Sequence, residues 1–176
     1  MAKPTLAYRD RAVLPKLGEA APAGPLVLDT NVFINAFAGR GPPVLRAVLL
    51  APSRAFMSGP TFAELRWTLG RLDPAHPDTA AMVVKLEETL GRIAPARRLA
   101  PTMCQWAQAG ELAGRAVRGL AGATRSITTP LDRAELINDA LTALVARAAG
   151  ATVITQDADF DLFAQLDPSL RAVFYD

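Results

Sequence analysis

The stretch that most constrains this chain is Pro25-Leu26-Val27-Leu28-Asp29-Thr30-Asn31-Val32-Phe33-Ile34. A short apolar run meets a carboxylate abruptly and then turns into an apolar, helix-like pattern. Leu26, Val27 and Leu28 read as a strand buried on both faces, as in a parallel sheet. Asp29 then stands at the carboxyl end of that strand, where open α/β sheets place their ligands. Asp29 or Thr30 is equally suited to cap the following helix, because Asp, Thr and Asn favour that position. The stretch alone leaves both roles open.

The remaining pattern alternates strands and helices. Helices are expected over 31–38, 44–51, 61–72, 79–92, 103–120 and about 132–149, with a turn and short helix over 157–166. Strands are expected over 54–58, 151–155 and 172–175, with a short edge strand at 97–100. Gly39 to Pro43 and the two prolines of 73–78 break the chain into loops, residues 122–129 read as a polar loop, and Gly150 is placed to end a helix. Ala80, Val83, Val84, Leu86 and Leu90 lie near one face of their helix, and Trp106, Leu112 and Val117 are expected to be buried in theirs. Trp67 and Trp106 are expected in the core or at an interface. This order implies a three-layer α/β/α sandwich with a central, mostly parallel sheet.

A chain of 176 residues is most simply one domain, with or without an arm. Residues 1–24 carry scattered charge and little periodicity, so they are expected to be a flexible or arm-like extension to a domain over 25–176. No apolar run approaches the roughly 20 residues of a membrane span. There is no signal-peptide core and a single cysteine, Cys104, which together point to the cytoplasm. The net charge of +2 hides a skew: the 19 basic residues are 3 Lys and 16 Arg, spread without a basic tract. Arginine's planar fork suits phosphate and interface ion pairs, so nucleic acid is permitted as a partner.

Four acids stand at special places. Asp29 ends the first strand, Glu64 follows Gly59-Pro60 near the start of a helix, Asp139 sits among Leu136, Ala140, Ala143 and Leu144, and Asp157 follows the strand ending at Thr155. Each has an ordinary explanation. Thr61 with Glu64 fits a capping box, Asp132 with Glu135 fits another ahead of Asp139, and Asp157 and Asp159 suit a turn. Taken together they have a sharper one. The carboxyl ends of parallel strands share one edge of a sheet, so all four acids are placed to converge in one crevice. Clustered carboxylates repel unless a cation joins them, and an oxygen-only donor set favours Mg²⁺ or Mn²⁺. Such ions activate water and stabilise in-line displacement at phosphorus.

Other chemistries fit poorly. His76, the only histidine, lies in a proline-rich loop, which disfavours a Ser-His-Asp triad; one Cys and one His do not build a usual zinc site. Neither a GxxxxGK[ST] nor a GxGxxG phosphate loop is present.

The motifs Val27–Val32, Ser58–Leu65, Trp106–Gly110, Leu136–Ala143 and Ala151–Phe160, in that order and spacing, resemble the PIN domain family, and within it the VapC-type toxins of bacterial toxin–antitoxin pairs. The resemblance covers residues 25–176. It implies a metal-dependent endoribonuclease in which Asp29, Glu64, Asp139 and Asp157 are the catalytic and metal-holding acids, with Mg²⁺ or Mn²⁺ as cofactor. Thr30 or Asn31, and Thr155, match supporting positions, and Asp159 replaces or assists Asp157. The implied partners are RNA as substrate, a cognate antitoxin whose tail covers the acidic pocket, and a second copy in a homodimer, with no membrane. The alternative is a PIN-like module that binds RNA or protein without turnover. A phosphate-handling enzyme of the haloacid dehalogenase type would need an Asp where Asn31 stands. Residues 1–24 precede the usual family start, and the part from Arg97 to Thr129 matches only loosely.

Overall fold

The structure, a computed structural model, describes residues 6–18, 21–50, 52–120 and 129–176. Its elements run β1 (Leu26–Leu28), α1 (Thr30–Phe37), α2 (Pro43–Leu50), β2 (Ala55–Ser58), α3 (Gly59–Gly70), α4 (Thr79–Arg92), β3 (Arg98–Leu99), α5 (Met103–Gly119), α6 (Pro130–Ala148), β4 (Thr152–Thr155), α7 (Asp159–Leu166) and β5 (Ala172–Phe174). The five strands form one sheet in the order β3-β2-β1-β4-β5, and every pairing is parallel. The expected α/β/α sandwich is the observed fold.

Alternation along β1 sets the layers. Val27 turns to one face and packs with Val153, Phe160, Phe163 and the small residues Ala109, Ala113, Ala116, Ala140 and Ala143 of α5 and α6. Leu26 and Leu28 turn to the other face, against Phe33 of α1, Leu45 of α2, Leu65 of α3 and Leu86 and Leu90 of α4. All three β1 residues are buried, as a strand sandwiched between helical layers requires. From β1 the chain moves to β2 and β3 on one side and returns to β4 on the other, so β1 and β4 flank the point where the strand order reverses. A crevice opens there at the carboxyl edge of such sheets.

The ends of the helices explain several departures from expectation. Helix α3 begins at Gly59 rather than Thr61, because Ser58 is the N-cap and Pro60 occupies the first turn. Thr61 donates its backbone N–H to Ser58 Oγ at 3.1 Å and is itself buried, so no capping box joins it to Glu64, which lies in the second turn. Helix α6 likewise starts at Pro130, with Thr129 and Asp132 forming the capping box in place of Asp132 and Glu135. Gly150 ends α6 at a φ of 62°, the left-handed geometry that glycine adopts without penalty. Of the loop expected over 122–129, residues 122–128 lie outside the described residues, and Thr129 is the N-cap of α6.

Two burial expectations fail. Val117 and Trp106 of α5 are 38% and 46% exposed, because alanines and Leu112 supply the close face against α6. Trp67, expected in the core or at an interface, is 63% exposed and so is no core residue, and Val84 is 57% exposed while Leu86 and Leu90 are the buried residues of α4. No helix among the described residues is long and apolar enough to cross a membrane.

Before β1, residues 6–18 lie along the domain. Leu6 and Leu14 are buried in the α5–α6–α7 core, and Leu17 N–H donates to Phe174 O at 2.7 Å while Phe174 N–H donates to Pro15 O at 2.8 Å. The segment thereby extends the β5 edge through a parallel bridge at Lys16.

Candidate metal centre

At the carboxyl edge of β1 and β4 lies a cavity of about 500 Å³ whose lining includes Asp29, Glu64, Glu135, Asp139 and Asp157. Four separate elements bring these acids together: the end of β1, the second turn of α3, the middle of α6 and the connection from β4 to α7. Among the described residues that line it there is no lysine, arginine or histidine.

Asp29 is the most firmly held. It caps α1, accepting from Thr30 N–H at 2.7 Å, and it accepts from the Thr155 hydroxyl at 2.6 Å and from Asn31 Nδ2 at 2.5 Å. Asp29 therefore caps α1 and at the same time lines the cavity at the carboxyl edge of the sheet. Burial pushes its carboxyl up to about 7, with Asp157 and Glu64 adding to the rise, against the lowering effect of the Thr155 and Thr30 hydrogen bonds.

Glu64 reaches the same cavity from α3. Its Oε2 accepts from the Thr30 hydroxyl and its Oε1 from Asn138 Nδ2 at 3.2 Å. The helix position thus makes Glu64 a link between α1, α3 and α6. Asp157 accepts from Asp159 N–H at 2.8 Å, and its own N–H donates to Thr155 Oγ1 at 2.8 Å. Thr155 consequently ties the end of β4 to Asp29 and to Asp157 at once.

Asp139 is half-buried on the face of α6 beside Leu136 and Ala140. Its carboxyl is pushed well above the ordinary carboxylate range, first by burial and then by Asp29, Asp157, Asp159 and Glu64. One oxygen each from Asp139, Asp157 and Asp159 lies within 4.8 Å of the others. Asp157 and Asp159 thus both bring an oxygen to this point. Three hard oxygen donors at that spacing, crowded by further carboxylates and beside a cavity whose described lining holds no lysine, arginine or histidine, fit a divalent ion of the Mg²⁺ or Mn²⁺ kind.

Sequence reasoning missed several participants. Asn138 precedes Asp139 and orients Glu64, and Glu135 lies one turn before Asp139 on the same helix face, a spacing that could have flagged it. Trp67 lines the cavity while largely exposed, with the Arg71 guanidinium 4.5 Å from its ring centroid. Tyr8 donates to Asp159 Oδ1 at 2.6 Å across a sequence gap that no local pattern reveals.

A family model described as the PIN domain matches residues 26–166. The chain belongs to the PIN domain family. No curated protein matches it, but solved structures share its fold. FitAcB from Neisseria gonorrhoeae aligns with a TM-score of 0.57 at 19% identity, over 84% of this chain and 96% of that one. FitAB bound to an IR36 DNA fragment aligns at 0.54 and 17% identity, over 85% and 94%. VapBC2 from Rickettsia felis, bound to a DNA fragment from its promoter, aligns at 0.53 and 19% identity, over 86% and 98%. The matched span of the PIN domain holds Asp29, Glu64, Asp139, Asp157 and Asp159 and begins after the segment that carries Tyr8.

Proposed function

We propose that this PIN domain is a divalent-cation-dependent endoribonuclease, the toxin of a toxin–antitoxin pair. The observation that carries the reading is the meeting of carboxylates from four separate elements in one cavity with no described lysine or arginine in its lining. Asp139, Asp157 and Asp159 would hold Mg²⁺ or Mn²⁺, with Asp29 and Glu64 completing the negative field around it. An ion held there would supply a Lewis acid for activating water and for stabilising charge at a scissile phosphodiester.

The chain's own residues do the rest. Thr155 and Asn31 fix Asp29, and Thr30 and Asn138 fix Glu64, so the acids are set before any ligand arrives. Trp67 offers an open aromatic face beside the cavity for a nucleotide base, and Arg71, over the same ring, offers charge to the backbone. The resemblance to VapC-type toxins extends the proposal to partners: a cognate antitoxin that covers the acidic pocket, and a homodimer, in the cytoplasm.

The test is RNA cleavage by the purified chain with Mg²⁺ or Mn²⁺, with chelator, and after Asp139→Asn. Asp139 is a cleaner probe than Asp29, whose replacement also disturbs the α1 cap. Cleavage that needs the ion and vanishes in the folded variant is the expected result. Cleavage by Asp139→Asn at the wild-type rate would overturn the reading, and RNA retention without any cleavage would favour a binding module. A small reading frame encoding a DNA-binding protein immediately upstream would support the antitoxin.

A further inference from the structure

The segment over residues 6–18 precedes the span matched by the PIN domain family, yet it reaches the acidic centre. The Tyr8 hydroxyl donates to Asp159 Oδ1 at 2.6 Å. Arg9 Nε bridges both oxygens of Asp161 at 3.0 and 3.1 Å, and Arg11 Nη2 donates to Gln156 O at 2.5 Å. Three residues of the arm therefore grip the stretch from Gln156 to Asp161, which carries Asp157 and Asp159.

The contacts continue inward without a break. Tyr8 holds Asp159, Asp159 N–H holds Asp157, Asp157 N–H holds Thr155, and the Thr155 hydroxyl holds Asp29. The arm is also seated by shape. Leu6 N–H donates to Gly119 O at 3.0 Å, and a Cβ at Gly119 would stand 2.6 Å from Leu6 Cγ, so only glycine leaves room for this approach. Tyr8 is half-buried against the α5–α6–α7 core, which fixes its ring while its hydroxyl points to Asp159.

We propose that Tyr8 is a positioning residue for the metal-holding edge, its hydroxyl fixing the Asp159 carboxylate against Asp139 and Asp157, so that the amino-terminal arm is a working part of the centre. The proposal rests on the reading of that centre as a metal site. Donors in the shell around metal ligands fix ligand orientation, and losing one typically lowers metal affinity by about 10–100-fold.

The experiment is calorimetric titration of Mn²⁺ into the purified full chain, the Tyr8→Phe and Asp159→Asn variants and the double variant, with thermal unfolding of each in the absence of metal. Tyr8→Phe keeps the ring and removes the hydroxyl. It is expected to weaken Mn²⁺ binding about tenfold while its unfolding midpoint stays within a few degrees of the wild type, and the double variant is expected to bind no more weakly than Asp159→Asn alone, because both changes break the same link. Unchanged affinity in Tyr8→Phe, or losses that multiply in the double variant, would overturn the proposal while leaving the metal site standing. A wild-type chain that takes up no Mn²⁺ would instead overturn the reading of the centre, and the role of Tyr8 with it.

Discussion

Asp161 in α7 and Asp139 in α6 are treated oppositely by the fold. Asp161 is 2% exposed and fully partnered: Arg9 spans both of its oxygens, and Gln165 Nε2 donates to Oδ2 at 2.8 Å. Asp139 faces four other carboxylates, which together with burial lift its carboxyl well above the usual range. Buried charge is costly unless paired, and stability alone would select the arrangement at Asp161 in both places. The crowding at Asp139 is the kind of local conflict that folds retain at working sites.

The sharpest way to break this comparison is Asp139→Asn. If Asp139 is a ligand, RNA cleavage should fall by more than about a hundredfold, beyond the loss usual for an outer-shell partner. Its stability should move the other way. An amide removes repulsion from Asp29, Asp157, Asp159 and Glu64, so the metal-free variant should unfold a few degrees above the wild type, at roughly 2–4 °C per kcal/mol for a chain of this size. A lower midpoint would make Asp139 a structural acid like Asp161.

Metal addition sharpens the same contrast. A ligand at a hundred times its dissociation constant stabilises the state it binds by about 2.7 kcal/mol. Thermal unfolding of the wild type should gain that much with Mg²⁺ or Mn²⁺, and Asp139→Asn should gain little. Arg9→Ala addresses the other member of the pair. It strands Asp161 without its guanidinium, at about 1–3 kcal/mol, toward the lower end because the Arg9 side chain is 46% exposed. Urea unfolding should show that loss with and without metal, and a loss that disappears on adding metal would merge the two acids into one site.

The sheet and the four principal acids were legible because they rest on short-range signals. An apolar run ending in a carboxylate identifies a strand end, and parallel strands share an edge, so local pattern alone puts Asp29 and Asp157 on one edge. What was illegible depends on distant partners. Thr61 looked like a cap and is instead a buried residue under Ser58, because Thr142 of α6 arrives from another part of the chain. Trp106 and Val117 looked like core because helical spacing ranks side chains by apolarity, while the α5–α6 contact selects alanines that permit close approach. The bond from Tyr8 to Asp159 spans 151 residues and leaves no periodic trace in either segment.

The smallest expected effect tests a buried, uncharged polar cluster outside the cavity. Ser58 Oγ accepts from Thr61 N–H at 3.1 Å, lies 2.9 Å from Thr61 Oγ1 and 2.9 Å from Thr142 Oγ1, and all three residues are buried. This cluster pins the start of α3 to α6 one turn beyond Asp139, and so helps keep Glu64 within reach of Asn138. Ser58→Ala removes the cap and leaves the Thr142 hydroxyl short of a partner, which should cost about 1–2 kcal/mol and lower the midpoint by several degrees. Cleavage should fall by less than about tenfold, because the acids themselves remain. If the midpoint drops while metal-dependent stabilisation is kept in full, the Ser58 cluster holds the helices and the crowded acids hold the ion; if the metal effect disappears too, the separation between structural and working polar groups fails at Ser58.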